Sequence, residues 1–531
     1  MLTTIVLASL AVTAFYYLFI RPLSYWKKRN IKQGNPVPIL GDYWRFFFKM
    51  ESFADLVRRL YNQFPNERYC GIYQYVTPTL MIRDPELIKQ ITVKDFDHFV
   101  DHRVVMPETS DPLWAKNLFS LTGQRWREMR PVLSPAFTGN KMRLMFGLIS
   151  ECADDYVSFY LEKNQDVIDV ELRDTITRFT NDAIATTAYG IKVDSLRNPA
   201  NDFYVKSRKA FTLSSFLALK FFSTLLLPTF IVNLLNLKIF EKEISDFFIT
   251  IVDETIKIRE EKGIVRPDLI HLLMEARKGH YRYEEESGTT DTGFAAVKES
   301  DIGKHIRQKI EITNLDIAAQ ALVFFLGGFD SSASLMCFMG YELAVNQDIQ
   351  RKLRIEIEDT LEKCNGVITY DALLKMKYMD MIISETLRKW SNGVIADRVC
   401  TKPYTIEPVT AEEKPIHLAE GTFIIIPSFG IQHDPKYFPD PDRFDPERFN
   451  EENKDKINSY TYLPFGIGPR NCIGSRFALL ETKLLFFKLL SKFEIVPTTK
   501  SGIPLKISTT TLNLNSEGGF LFAFKRINGN Q

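Results

Sequence analysis

The stretch Phe465-Gly466-Ile467-Gly468-Pro469-Arg470-Asn471-Cys472-Ile473-Gly474 runs directly into apolar residues at Phe477, Leu479, Leu480, Leu484, Leu485 and Phe486, a helical spacing. A glycine-rich loop thus presents one cysteine at a helix start. The helix amino end and the loop N–H groups favour a thiolate there, and glycines let the backbone approach a flat cofactor closely. Arg470 adds a fixed cation suited to a carboxylate. Blander readings compete with this one. A lone cysteine is usually a small buried hydrophobe, and a glycine-rich loop before a helix can cradle a nucleotide. Spacing disfavours the nucleotide: a G-x-G-x-x-G starting at Gly466 would need glycine where Asn471 stands, and Pro469 lacks an N–H donor. Zinc would need further ligands, and the nearest histidine, His433, lies far upstream.

The segment resembles the cytochrome P-450 heme signature F-x-x-G-x-R-x-C-x-G at Phe465, Gly468, Arg470, Cys472 and Gly474. That resemblance implies a heme b cofactor whose iron takes the Cys472 thiolate as axial ligand, donating electron density that favours O–O cleavage. Arg470 would then pair with a heme propionate.

Other segments extend the resemblance. Glu385-Thr386-Leu387-Arg388 sets a carboxylate and a guanidinium on one helical face, a pairing that on a solvated face contributes only about 0.2–0.5 kcal/mol. Here Met381, Ile382, Ile383, Leu387 and Trp390 surround it with apolar bulk, and it resembles the family's E-x-x-R. The segment Phe444-Asp445-Pro446-Glu447-Arg448-Phe449 resembles F-x-P-E-R-F. Together they imply a structural charge network of Glu385, Arg388 and Arg448 that locks the region around the thiolate loop; the overlapping Asp442-Arg443-Phe444 is a decoy by spacing. Trp126 and Arg130 resemble W-x-x-x-R, whose two side chains reach a heme propionate; the plain alternative is a core tryptophan beside a solvated arginine. Arg398 and His102 lie near the family's propionate-binding regions, on a looser alignment.

Gly327-Gly328-Phe329-Asp330-Ser331-Ser332 interrupts an apolar helical run, where each glycine costs about 1 kcal/mol relative to alanine. It resembles A/G-G-x-D/E-T-T/S, which implies a helix opened beside bound oxygen, with Asp330 as the acid and Ser331 as the hydroxyl that deliver protons. Serine stands where threonine is usual, so its rotamer is less constrained.

Composition frames these motifs. The chain has 531 residues, 45% of them hydrophobic, so it can bury a large core. Lys plus Arg (67) balance Asp plus Glu (66), which gives no electrostatic reason to expect nucleic acid. Six cysteines lie far apart with no C-x-x-C pair, as suits a reducing compartment. Residues 2–20 are uncharged and reach roughly 28 Å, about one hydrocarbon core. The run lacks the basic n-region of a signal peptide, and Arg21, Lys27, Lys28 and Arg29 follow it, keeping the body cytosolic. Helical spacing dominates residues 50–400, as at 137–160 and 315–343, while strand-like stretches occur at 73–82, 422–426 and 508–525. Residues 279–293 read as a mobile surface loop. Residues 211–237, with Lys220 and Pro228 inside an apolar run, read as helices and a loop that dip into the bilayer surface.

The expected fold is mainly α with small peripheral β-sheets, the cytochrome P-450 fold. A transmembrane anchor at 2–20 and a basic flank with a proline hinge at 21–41 precede one catalytic domain at 42–531. The expected function is NADPH-dependent insertion of one oxygen atom from O2 into an apolar small molecule at the endoplasmic reticulum membrane. Since the chain has no flavin or nicotinamide fingerprint, electrons would come from a separate flavoprotein reductase, with cytochrome b5 as a possible second donor. Residues 97–103, 325–330 and 388–390 resemble the insect microsomal xenobiotic-type branch. A heme-thiolate isomerase or dehydratase and a non-catalytic heme sensor are the alternatives.

Overall fold

The long apolar run expected at 315–343 folds as a continuous helical rod made of helix Asn314–Leu326, a π-turn Gly327–Ser331 and helix Ser332–Val345. Its start is fixed by a capping box: Thr313 Oγ1 accepts from Asp316 N at 3.1 Å and Asp316 Oδ2 accepts from Thr313 N at 2.9 Å. By length and composition the rod could cross a membrane, but most of it is buried in the body, and it is the core helix here. The computed structural model describes residues 1–104, 106–211, 232, 234–235, 237–266, 268–278, 294–296 and 311–527. The apolar run at 211–237 lies almost entirely, and the loop at 279–293 entirely, outside the described residues.

Helices Leu172–Ile184, Lys377–Lys389 and Ser475–Leu490 pack against the rod. The last is apolar nearly all round and buried nearly all round, as a central helix must be. Gly139–Glu162 forms the helix expected at 137–160 and packs on Ser475–Leu490.

The sheets are small. Antiparallel strands Tyr69–Gln74 and Thr77–Ile82 form a hairpin, Phe423–Ile426 pairs in parallel with the second of them, and Ala396–Val399 closes the sheet. The strand read at 73–82 is therefore two strands, divided at Tyr75, whose φ of 58° turns the chain back. Residues 508–525 are likewise strand only at Leu521–Arg526, which pairs with Val167–Glu171 and Phe493–Pro497. The remainder is a loop held by the isolated bridge Ile507–Ser516. A third sheet joins Tyr404–Ile406 to Ile416–Leu418.

Helix Leu2–Phe15 continues through short turns to Ser24, with nothing buried from Leu2 to Phe15. It is long and apolar enough to cross a membrane. The flank expected as a hinge does not stand free. Trp26 is fully buried, its Nε1 donating to Ile72 O at 3.2 Å. Gly71 makes room for it, since a Cβ there would lie 2.2 Å from the Trp26 ring. Gln33 Nε2 donates to Leu23 O at 2.9 Å and its Oε1 accepts from Tyr73 Oη at 2.9 Å. Hydrophobic burial thus joins this flank to the body, which the charge pattern of the flank conceals.

Glu385 and Arg388, on helix Lys377–Lys389, have fully buried side chains and pair bidentately, Nε to Oε2 at 2.7 Å and Nη2 to Oε1 at 2.8 Å. Arg448 Nε approaches Glu385 Oε1 at 3.4 Å and spends its Nη groups on Pro439 O and Asp440 O. In the decoy segment, Asp442 instead binds Arg58, 3.0 Å away. Arg388 Nη1 donates to Gln432 O at 3.0 Å, and Gln432 Oε1 accepts from Leu463 N at 2.7 Å. One hydrogen-bonded chain therefore runs from the ion pair to the entry of the cysteine loop.

Two outcomes follow from this packing. Deleting residues 1–20 should leave the urea midpoint of the body unchanged, whereas deleting 1–29 removes Trp26 and should cost about 3–5 kcal/mol; equal midpoints would show that Trp26 adds nothing. Arg388→Ala leaves the Glu385 carboxylate buried without its partner and should cost about 3–5 kcal/mol in the same measurement, with Arg388→Lys rescuing little because it cannot reproduce the fork.

Candidate functional site

The cysteine loop is shaped by its glycines. Gly466 and Gly468 have φ of 71° and 73°, and a Cβ at Gly468 would lie 2.1 Å from Thr92 O, which no other residue tolerates. Gly466 N donates to Leu463 O at 3.2 Å, Asn471 N to Gly468 O at 3.0 Å and Cys472 N to Phe465 O at 2.8 Å, so the loop closes on itself. Cys472 is exposed, and it lines a cavity of about 820 Å³ just before helix Ser475–Leu490 begins.

The π-turn forms another wall, with Gly327, Gly328, Asp330 and Ser331 lining the same cavity. A Cβ at Gly327 would meet nothing within 4 Å, so this glycine leaves room for a ligand. The i→i+5 pattern displaces backbone groups from their ordinary helical partners, and side chains meet three of its carbonyls. Ser331 Oγ donates to Gly327 O in a short bond, Thr180 Oγ1 to Phe329 O at 3.0 Å and Asn392 Nδ2 to Ser331 O at 2.8 Å. Asp330 is ion-paired with Arg173 through a short contact, and its Oδ2 accepts from Asn513 Nδ2 at 2.8 Å. Sequence reasoning missed Thr180, Asn392, Arg173 and Asn513. They are scattered over the chain and carry no motif.

Three arginines converge elsewhere on the lining, Arg130, Arg398 and Arg470, with Trp126 and His102 among them; burial holds the His102 imidazole below its ordinary pKa, so it adds no fixed charge. Arg130 Nη1 and Nη2 donate to Asn471 O at 2.9 Å and Oδ1 at 2.7 Å, tying helix Gly123–Leu133 to the cysteine loop. Arg470 stacks on Trp126, 4.1 Å from the ring centroid, and donates to Val100 O at 2.8 Å and Leu121 O at 2.6 Å. The Trp126 ring is thus a platform for Arg470, and Arg470 also braces residues 100–121. His102 Nδ1 lies 2.9 Å from Asp397 Oδ1, and its ring stacks on Phe119.

Arg398 is the most exacting member of this group. It is buried, and its Nε has no hydrogen-bond partner among the described residues. Burial, then the like charge of Arg398, pushes the Arg470 guanidinium down to about 9, and burial takes Arg398 down to about 10 despite Asp397. Such a cluster calls for anions. A flat apolar group carrying two carboxylates, with a metal that accepts one soft anionic ligand, fits the cations, the glycine cradle and the single thiol together. No cluster of three or more His, Cys, Asp or Glu that could hold a metal ion occurs among the described residues, so the cavity does not provide an all-protein metal cage.

Comparison with known proteins agrees. The description Cytochrome P-450 matches residues 32–522. The chain is 42% identical to cytochrome P-450 9e2 of Blattella germanica, over 93% of this chain and 92% of that one. It is 39% identical to the probable cytochrome P-450 9f2 of Drosophila melanogaster, over 97% of each. With cytochrome P-450 6j1 of Blattella germanica it shares 34% identity, over 99% of this chain and 98% of the relative. The chain belongs to the cytochrome P-450 family of heme-thiolate monooxygenases.

Proposed function

We propose that this protein is an NADPH-driven, membrane-anchored monooxygenase of apolar small molecules, xenobiotics or endogenous lipids and terpenoids, in which the Cys472 thiolate would hold the iron of heme b. One observation carries the reading: a thiol on a glycine-shaped loop and a glycine-opened helix wall line one cavity with a buried group of cations. When bound, the heme supplies the redox chemistry that activates dioxygen. The protein's own residues do the rest. Arg398, with Arg130, Arg470, His102 and Trp126 around it, would hold the carboxylates of the bound group and orient it. Phe465, Gly468 and Gly474 keep the cysteine loop close to the heme face, and Glu385, Arg388 and Arg448 keep that loop in place.

Proton delivery falls to Asp330 and Ser331. At rest the Ser331 hydroxyl is turned onto Gly327 O and the Asp330 carboxylate is held by Arg173 and Asn513. Ser331 Oγ must therefore leave the carbonyl to hold the water that passes protons on, and Asp330 recharges it from solvent. A hydroxyl that serves only as a carbonyl cap is the competing role, and the resting geometry favours it.

Electrons come from a flavoprotein reductase, with cytochrome b5 as a further donor, at an endoplasmic reticulum membrane entered by residues 2–20. Arg125, Arg127, Lys141 and Arg143, on or after the Trp126 helix, would receive an acidic reductase, and three of them are already engaged within the chain, Arg127 with Asp97 and Arg143 with Asp371, each at 2.6 Å, and Arg125 with Asp316 at 3.6 Å. The Arg127 and Arg143 pairs are partly exposed, so each contributes little to stability and an acidic partner can compete for it, whereas Asp316 is buried. The docking field is still weaker than the count of basic residues suggests.

Incubating the full-length holoprotein with reductase and NADPH tests the whole reading: an apolar aryl ether such as 7-ethoxycoumarin should be oxidised with NADPH consumed, whereas an isomerase, dehydratase or sensor would consume none for product. Arg398→Ala should raise the rate at which heme passes to an apomyoglobin trap about tenfold, as expected for the loss of one charge-assisted contact; an unchanged rate would remove Arg398 from the propionate site. Ser331→Ala should preserve substrate binding yet divert electrons to hydrogen peroxide, while unchanged product per NADPH would assign Ser331 to the carbonyl cap alone.

A further inference from the structure

The carboxylate of Asp330 is divided between two partners of different kinds. Arg173, at the start of helix Leu172–Ile184, takes Oδ1 through Nη2. Asn513 takes Oδ2 through its side-chain amide at 2.8 Å. A guanidinium beside a carboxylate ordinarily closes a two-point fork, the strongest form of the pair. Here it does not close. Arg173 Nη1 is drawn aside to Ser334 Oγ at 2.5 Å, one helical turn beyond Asp330, and Asn513 occupies the second carboxylate oxygen.

Asn513 comes from a distant part of the chain. It sits in the loop closed by the Ile507–Ser516 bridge, which is reinforced by Ser508 N donating to Asn515 O at 2.8 Å and Glu517 N to Lys506 O at 2.9 Å. With Leu512 it lines the cavity that Cys472 and Ser331 also line. The group that keeps Oδ2 open is therefore part of the wall a substrate touches.

We propose that Asn513 is a positioning residue for proton delivery: from the cavity wall it holds Asp330 Oδ2 away from Arg173, keeping the carboxylate singly bonded to the guanidinium and free to exchange protons. This rests on the proton-relay reading of Asp330 and Ser331. A carboxylate closed into a fork has both oxygens engaged by the guanidinium. A carboxylate shared with a neutral amide keeps one oxygen on a bond that a water can replace, because an amide donor binds less strongly than a guanidinium. Because Leu512 and Asn513 belong to the cavity wall, an occupant that presses on this loop changes how Oδ2 is held.

The test uses full-length holoprotein with reductase and NADPH, 7-ethoxycoumarin as the probe, and product, peroxide and NADPH measured together. In Asn513→Ala the carboxylate Oδ2 loses its amide donor and competes with Ser334 Oγ for Arg173 Nη1, so product per NADPH should fall about threefold or more, the scale of one hydrogen bond, with a matching rise in peroxide. The fall should be the same at saturating probe, so that it does not follow any change in the dissociation constant read by spectral titration. Adding Arg173→Lys to Asn513→Ala should restore coupling, because an ammonium cannot close a planar fork. Asn513 is exposed on its loop, so heme content in its variants should match the wild type.

The two readings fail separately. Asp330→Asn with unchanged coupling overturns the relay itself. Impaired Asp330→Asn beside unimpaired Asn513→Ala overturns only the role of Asn513. A coupling loss in Asn513→Ala that Arg173→Lys does not restore, or one that tracks a weakened dissociation constant, also overturns it, since Asn513 would then act on the shape of the cavity.

Discussion

A cysteine can serve a cofactor only if the loop that carries it keeps its shape, and here that shape leans on the buried Glu385–Arg388 pair. Both side chains are fully buried, so each charge has given up its hydration and depends on the other. The cost is large and the return is placement. Arg388 binds the carbonyl of Gln432, and Gln432 binds the N–H of Leu463, two residues before the loop begins. Arg448 and Asp445 N close the same carboxylate from the other side. A pair of well-packed apolar residues would stabilise this region about as well, but it would not aim three backbone segments at one point.

The cavity is divided by chemistry. The cysteine loop provides one thiol and the Arg470 guanidinium, the π-turn provides a hydroxyl and a carboxylate, and Arg130 and Arg398 add buried positive charge. This division lets a single flat dianionic group satisfy every unusual feature of the cavity at once. It also leaves the polar groups of the π-turn on the substrate side. Three carbonyls of the turn are met by side chains, from Ser331, Thr180 and Asn392, so the opening is a formed structure and not a defect.

Much of this was legible in the sequence because motifs written in glycine, proline and charge report local geometry. The glycines around Cys472 anticipated a loop that presents the cysteine at a helix start, and the resemblance at Gly327-Gly328 implied the opened turn. The Glu385–Arg388–Arg448 association follows family motifs, and apolar bulk around the first two pointed to burial. What escaped is what depends on tertiary contact. Tyr75 turns a reading of one strand into a hairpin, and the basic flank hides Trp26, whose burial is decided by Gly71 in a strand far along the chain. Arg398 carried only a loose alignment, yet its position on a short strand leaves its Nε buried beside the cavity. Arg173 and Asn513 lie 157 and 183 positions from Asp330, and no local pattern links them to it.

The central claim is that Cys472 supplies the thiolate that the whole arrangement presents. The carbon monoxide difference spectrum of the reduced holoprotein, compared between wild type and Cys472→Ala, tests it most directly, because among the described residues no other member of the cavity lining offers a soft anionic ligand. The expected result is a thiolate-type band in the wild type that is absent from Cys472→Ala even where heme remains bound. A thiolate-type band that persists in Cys472→Ala would contradict the account.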